Sequence, residues 1–145
     1  MPIQRLEHVG IIVNDLAEAV EFFSALGLEP RGEGTVEGDW AGRIIGLEDV
    51  KAEMAMLRTA DGHGEIELVK FHSPSYQGDN LPAPSNAPGI RHLAFLVDDI
   101  DATVAGLRAR GTELVGEVVD YKDVYRLCYV RGPAGIIVEL AQKLS

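Results

Sequence analysis

Four side chains in the sequence have the chemistry to bind a metal. His8 and His92, two of the four histidines, each begin an apolar stretch. Glu67 and Glu139 each lie between aliphatic neighbours, where a carboxylate is costly to bury unless it is paired or bound to a cation. Neutral imidazole suits Zn, Ni, Co and Fe, and carboxylate extends the choice to Mn and Mg. These four residues are therefore the predicted ligands of one divalent metal ion.

The four residues occupy equivalent places in an internal repeat. The stretch His8–Val20 aligns with His92–Val104 at one constant offset. Near the end of each copy, Glu65–Leu68 aligns with Ile137–Leu140 at a second offset. Because equivalent positions in a pseudo-two-fold structure point towards the same axis, we expect the two imidazoles and the two carboxylates to converge.

Each copy of the repeat predicts the same elements in the same order. A run of aliphatic residues predicts a buried strand, and the Asn14-Asp15 or Asp98-Asp99 pair after it can cap a helix whose apolar residues recur every three or four positions. Two apolar stretches around a glycine-containing turn then predict a hairpin. The first copy is longer, and its glycine-rich segment 31–49 predicts a mobile loop. Each copy therefore predicts a β-α-β-β-β module, and the chain an α+β fold.

The length of 145 residues suits a single domain built from both modules. Module 1 covers about residues 5–72 and module 2 about residues 90–142. The segment 73–89 between them is rich in proline and poor in large apolar residues, which is typical of a linker that runs over the surface.

The repeated strand and helix start, together with the run Gly135–Leu140, resembles the vicinal oxygen chelate superfamily. This superfamily includes glyoxalase I, methylmalonyl-CoA epimerase, extradiol dioxygenases, fosfomycin-resistance enzymes and bleomycin-binding proteins. The resemblance covers nearly the whole chain, from Leu6 to Leu140. It implies two tandem βαβββ modules that form a curved mixed sheet around one metal ion.

Position by position, His8, Glu67, His92 and Glu139 match the four-ligand pattern of glyoxalase I. Extradiol dioxygenases and fosfomycin-resistance enzymes use the positions of His8, His92 and Glu139 and have no ligand at the position of Glu67. Bleomycin-binding members generally lack the ligands. Glu67 is therefore the residue that discriminates among these groups.

The second half of the chain most resembles methylmalonyl-CoA epimerase, in the runs Gly89–Phe95 and Val97–Ala102. The resemblance implies that Glu53, on the strand before the hairpin, is a further catalytic carboxylate.

The resemblance implies a metal-dependent lyase or isomerase of the glyoxalase or epimerase type. Such an enzyme transfers a proton alpha to a carbonyl on a small metabolite or thioester, with Glu139 as the first candidate for the base and Glu67 or Glu53 as its partner. Two alternatives stay open. One is an Fe(II)-dependent extradiol-type dioxygenase, and the other is a non-catalytic protein of the bleomycin-resistance type that sequesters a small molecule.

Two further residues are weaker candidates for substrate binding. Trp40, the only tryptophan, is predicted either to cover bound substrate or to fill a gap in the core. Arg126 lies on a predicted strand, from which it could line the cup. Cys128 is predicted to be an inert, packed thiol.

Composition excludes other classes of function. The 23 acidic residues outnumber the 13 Lys and Arg, giving a net charge of −10 that repels nucleic-acid phosphates. No apolar run is long enough to cross a membrane, and a single cysteine favours the reducing cytoplasm. The expected partner is thus a small-molecule substrate, and the resemblance adds a homodimer.

Overall fold

The computed structural model describes residues 2–145 and contains two compact units, of which the first ends at Asp79 and the second covers Asn80–Ser145. Each unit holds one four-stranded mixed sheet, with a parallel pair at one edge and antiparallel pairs across the rest. This confirms the predicted α+β class and the two tandem modules. Within residues 2–145, no helix has the length and apolar character needed to cross a membrane.

The sheet of the first unit has the strand order β1-β4-β3-β2. Its strands β1 and β4 are parallel, and β4, β3 and β2 are joined by antiparallel pairing, as the predicted hairpin requires. The elements are β1 (Val9–Ile12), α1 (Leu16–Ala25), β2 (Glu29–Glu37), α2 (Asp39–Ile45), β3 (Lys51–Arg58) and β4 (Glu65–Ser73).

The sheet of the second unit repeats this topology with the order β5-β8-β7-β6. The parallel pair is β5 and β8, and the second predicted hairpin is formed by β7 and β8. The elements are β5 (His92–Leu96), α3 (Ile100–Ala109), β6 (Val119–Tyr121), β7 (Tyr125–Arg131), a short 3-10 turn (Pro133–Gly135) and β8 (Ile137–Lys143).

The long helices begin where the sequence predicts. Asp15 is the N-cap of α1 and accepts a hydrogen bond from the backbone N–H of Glu18 at 3.0 Å. Asp99 is the N-cap of α3 and accepts from the N–H of Ala102 at 3.1 Å. Each aspartate satisfies a backbone donor that the first helical turn leaves without a partner, which sets the start of the helix after the strand.

The two faces of each sheet have different neighbours. Helix α1 packs against β3 and β4 over the buried Leu57 and Leu68, and α3 packs against β8, where Leu140 is buried. Because side chains alternate along a strand, Glu67 and Glu139 point to the opposite face of their sheets. We call this second face the glutamate face and the first the helix face.

The prediction of a mobile loop over segment 31–49 is wrong. Residues Glu29–Glu37 form β2, which pairs along the whole length of β3, and the short helix α2 follows. Without β2, the outer row of N–H and C=O groups on β3 would lack partners, so backbone hydrogen bonding orders a segment whose side chains carry no clear strand pattern.

Candidate functional site

In the first unit, His8 and Glu67 lie together on the glutamate face. Gly10 of β1 is the register partner of Glu67 on β4, and His8, two residues before Gly10, points to the same face. The Nε2 atom of His8 is 3.9 Å from Oε1 of Glu67. The side chains are 35% and 29% exposed, so both are accessible to a ligand from solvent.

The second unit builds the same arrangement from equivalent residues. Ala94 of β5 is the register partner of Glu139 on β8, which brings His92 to the same face. The Nε2 atom of His92 is 3.4 Å from Oε1 of Glu139, and the side chains are 39% and 22% exposed. The parallel edge pair therefore places one imidazole beside one carboxylate in each module.

The donors of each pair suit a divalent metal ion. Two atoms that each lie about 2.1 Å from one ion, at angles between about 90° and 110°, are about 3.0 to 3.4 Å apart. The distance between Nε2 of His92 and Oε1 of Glu139 falls at that limit, and the corresponding distance between His8 and Glu67 is slightly longer. Among residues 2–145, no group of three or more His, Cys, Asp or Glu side chains is close enough together to hold an ion, so each pair offers two donors.

Tyr129 is a neighbour of the second pair that the sequence analysis did not identify. It is the register partner of Glu139 across the β7–β8 hairpin, and its ring centroid is 5.1 Å from that of His92 with a tilt of 36°. This contact restricts the orientation of the imidazole. The signal that could have identified Tyr129 is the pairing of the hairpin, which places it opposite Glu139. The corresponding partner of Glu67 in the first unit is Met56.

The structure does not bring Glu53 to the His8–Glu67 pair. Glu53 lies three residues from Met56 along β3, and because Met56 is the register partner of Glu67, Glu53 points to the helix face. Its Oε2 atom is 3.4 Å from Nε2 of His72. The parity of β3 therefore places Glu53, which the resemblance implies to be a further catalytic carboxylate, on the face opposite Glu67.

Arg126 is also on the helix face, away from Glu139. The guanidinium donates hydrogen bonds to Asp120 at 2.8 Å and to Asp101 of α3 at 3.1 and 3.2 Å. These hydrogen bonds, to Asp120 first and then to Asp101, raise the pKa of Arg126 further above its usual range. Both carboxylates therefore hold Arg126, which the sequence analysis named as a candidate for lining the cup, on the side of the helix and away from Glu139.

Trp40 lies at the surface of the first unit, and Cys128 is buried in the second. Trp40 is on α2 and is 56% exposed, so it does not fill a gap in the core, and its role as a substrate cover remains a prediction. Cys128 is buried, and burial raises the pKa of its thiol, with the Glu139 carboxylate adding to the effect. A thiol held in the protonated form is a poor nucleophile, as predicted.

Comparison with known proteins agrees with this geometry. Residues 7–129 match the sequence profile of the Glyoxalase/Bleomycin resistance protein/Dioxygenase superfamily. The chain belongs to this superfamily. The resemblance inferred from the repeated His and Glu motifs is thereby confirmed for the fold and the family.

Two proteins that are similar to this chain are a glyoxalase family protein and an epimerase. A glyoxalase family protein from Bacillus cereus is 46% identical, with 100% of this chain and 97% of that chain covered and a TM-score of 0.96. A 2-epi-5-epi-valiolone epimerase from Actinomyces sp. is 33% identical over 93% of this chain and 77% of its own length.

A fosfomycin resistance protein from Listeria monocytogenes, solved with Mn(II) and sulfate, has the same fold. It has a TM-score of 0.61 and 20% identity, with 97% and 93% of the two chains covered. At that identity it supports the superfamily fold alone.

Proposed function

We propose that this member of the superfamily is a divalent-metal-dependent enzyme that transfers a proton alpha to a carbonyl, as an epimerase or isomerase does. The observation that supports it most is the duplicated His–Glu pair, with an imidazole and a carboxylate together on the glutamate face of each sheet. A binding protein needs no such pair in each of two modules. The 33% identity to an epimerase favours the same class of reaction.

The proposed metal ligands are His8 and Glu67 in the first module and His92 and Glu139 in the second. Neutral imidazole and carboxylate together accept Zn, Ni, Co, Mn, Fe or Mg, so the donor set suits a divalent ion without selecting one. When bound, such an ion would stabilise the negative charge that develops on the carbonyl oxygen as the alpha proton leaves.

The proton transfer itself falls to the glutamates. Glu139 is the proposed base, because its carboxylate is largely shielded on a strand between the buried Val138 and Leu140 and is held beside His92. Glu67, its equivalent in the first module, is the proposed second carboxylate. Inversion at carbon requires that the proton leave one face and return to the other, which two separate carboxylates can achieve.

Tyr129 has a positioning role in this proposal. Its ring lies against His92 and its backbone pairs with Glu139, so it limits the motion of both proposed ligands. Replacing Tyr129 with Leu would keep apolar bulk on β7 but remove the ring contact with the imidazole.

Metal content and proton exchange test the proposal separately. Protein purified without chelators and supplemented with each metal in turn would be analysed by mass spectrometry for bound metal. Exchange of the alpha proton of 2-hydroxyacetophenone in D₂O would be followed by proton NMR. We expect stoichiometric metal and metal-dependent exchange that Glu139→Gln abolishes, whereas protein that takes up no metal after supplementation would refute the catalytic mechanism.

The chain contains a matched control for these experiments. His72 and Glu53 form a pair with the same 3.4 Å separation as His92 and Glu139, but on the helix face. We expect His72→Ala and Glu53→Gln to leave metal content and exchange unchanged. Oxygen uptake with Fe(II) would instead favour the dioxygenase, and ligand binding that survives the loss of both His8 and His92 would favour the sequestering protein.

A cytoplasmic location and a homodimer remain predictions. Size-exclusion chromatography with light scattering distinguishes a 15.7 kDa monomer from a dimer.

A further inference from the structure

A cavity of about 430 Å³ opens beside Glu139 in the second unit. Its origin is a break in the strand next to β7. Leu114 bridges to Val130, and β6 pairs with the other end of β7, but Gly116–Val118 between them leave the ladder. The cavity is the gap that this break leaves along the edge of β7. The backbone pairing on either side of the break therefore sets the size of the cavity.

The walls of the cavity combine apolar surface with negative charge. Val119 and Leu127 are register partners, and Leu127 and Tyr129 share the glutamate face with Glu139. Val115 and Val119 are partly exposed, which leaves apolar surface available to a ligand. The lining side chains that matter are Val115, Val119, Leu127, Tyr129, Glu117 and Glu139.

This lining selects for a particular kind of ligand. A volume of about 430 Å³ matches pockets that hold small organic molecules. Valine, leucine and tyrosine side chains favour an apolar group, whereas the carboxylate of Glu117, which is not a proposed metal ligand, repels an anionic one.

We propose that this cavity is a specificity pocket that receives a compact, uncharged, apolar substituent of the substrate. The inference rests on the proposed function in one respect, which is that the reacting carbon lies beside Glu139. It adds that the group attached to the carbonyl is neutral, so that a ketone with an uncharged ring or alkyl group is accepted and an analogue with a carboxylate on that group is rejected. Val119 and Leu127 set the size limit, and Glu117 contributes to the selection by charge.

Two probes of similar shape test the selection. 2-Hydroxyacetophenone is neutral, and 4-(hydroxyacetyl)benzoate carries a carboxylate on the ring of the same hydroxyketone. Each would be titrated into protein labelled with ¹³C at valine and leucine methyl groups, both without metal and with Zn(II). We expect shifts at Val115, Val119 and Leu127 with the neutral probe and about tenfold weaker binding of 4-(hydroxyacetyl)benzoate. Equal affinities, or shifts confined to methyl groups elsewhere, would overturn the proposal.

Substitutions at the cavity have matched controls nearby. Val119→Trp fills the cavity and is expected to weaken binding of the neutral probe at least about tenfold. Val124→Trp is the matched control, because it changes a valine outside the lining. Glu117→Gln is expected to reduce the difference in affinity between the two probes. Glu113, like Val124, lies outside the lining, so Glu113→Gln is expected to leave that difference unchanged.

The titrations without metal keep this proposal separable from the proposed function. If the protein binds no metal but the methyl shifts persist, the catalytic mechanism fails and the pocket stands. If metal binds and neither probe shifts the methyl groups of the cavity, the pocket fails and the metal site stands.

Discussion

Replacing one histidine of a His–Glu pair should remove most of the stability that a metal confers. A ligand that binds only the folded protein adds about 2.7 kcal/mol when its free concentration is 100 times its dissociation constant. Loss of even an outer hydrogen-bond partner of a metal ligand weakens affinity by about 10-fold to 100-fold, so we expect at least about 100-fold from His8→Ala or His92→Ala. At the same metal concentration the added stability then falls to about 0.4 kcal/mol.

The structure allows this effect to be isolated. His8 and His92 are 35% and 39% exposed, and the control residue His72 is 48% exposed. Substitution of such exposed side chains changes the free energy of unfolding of the metal-free protein by less than about 0.5 kcal/mol. The metal-dependent increment is therefore the quantity that separates a ligand from an ordinary surface histidine.

Thermal unfolding with and without Zn(II) measures the increment. For a chain of this size, about 2.7 kcal/mol corresponds to a rise in Tm of roughly 5 to 10 °C. We expect that rise in the parent protein and in His72→Ala, and its near absence in His8→Ala and His92→Ala. Equal loss in all three variants, or no loss in any, would refute the assignment of the two pairs as ligands.

Four further predictions concern residues outside the His–Glu pairs. Gly42→Ala on α2 should lower the free energy of unfolding by about 1 to 3 kcal/mol in urea denaturation, because a Cβ there would lie 2.5 Å from the backbone oxygen of Leu47. Gly106→Ala on α3, where a Cβ meets nothing within 4 Å, should instead raise it by about 0.5 to 1 kcal/mol, and a loss would contradict the packing argument. Asp61→Asn should destabilise the protein at neutral pH, since hydrogen bonds in its turn lower the pKa of Asp61. The ionised carboxylate stabilises the fold above its ordinary pKa, and this stabilisation is lost as the pH falls through the lowered value. The melting temperatures of parent and variant should therefore become equal as the pH is lowered. Arg126→Gln should leave the affinity of 2-hydroxyacetophenone unchanged in the same NMR titration, and a large loss would return Arg126 to the site.

The modules could be predicted from the sequence because the same pattern of residues occurs twice, so each element is indicated by two separate segments. The Asn-Asp and Asp-Asp pairs locate the starts of α1 and α3, and the glycine-containing turns locate both hairpins. These signals are local, since capping and turn conformations depend on a few adjacent residues. The repeat predicts that the two imidazoles and the two carboxylates converge, and the parallel edge pair places the histidine of each module beside the glutamate of the same module.

Glu53 and Arg126 lie away from the His–Glu pairs because of strand parity, which is not a local property. A side chain's face depends on which residue of a neighbouring strand it opposes, and a shift of one residue moves it to the other side of the sheet. Glu53 is three residues from the partner of Glu67, and Arg126 is three from the partner of Glu139. Both residues lie on strands that neighbour the strand of a proposed ligand, but the strand register places their side chains on the helix face.

The sequence by itself determined the superfamily, the first strand, first helix and hairpin of each module and the four residues with metal-binding chemistry, because all of these are carried by residue types at repeated spacings. Only the tertiary structure decided that segment 31–49 is a strand and helix, that Tyr129 lies against His92 and that a cavity opens along β7 beside Glu139. Those features arise from backbone hydrogen bonds and contacts between residues far apart in the chain, which no spacing along a single sequence specifies.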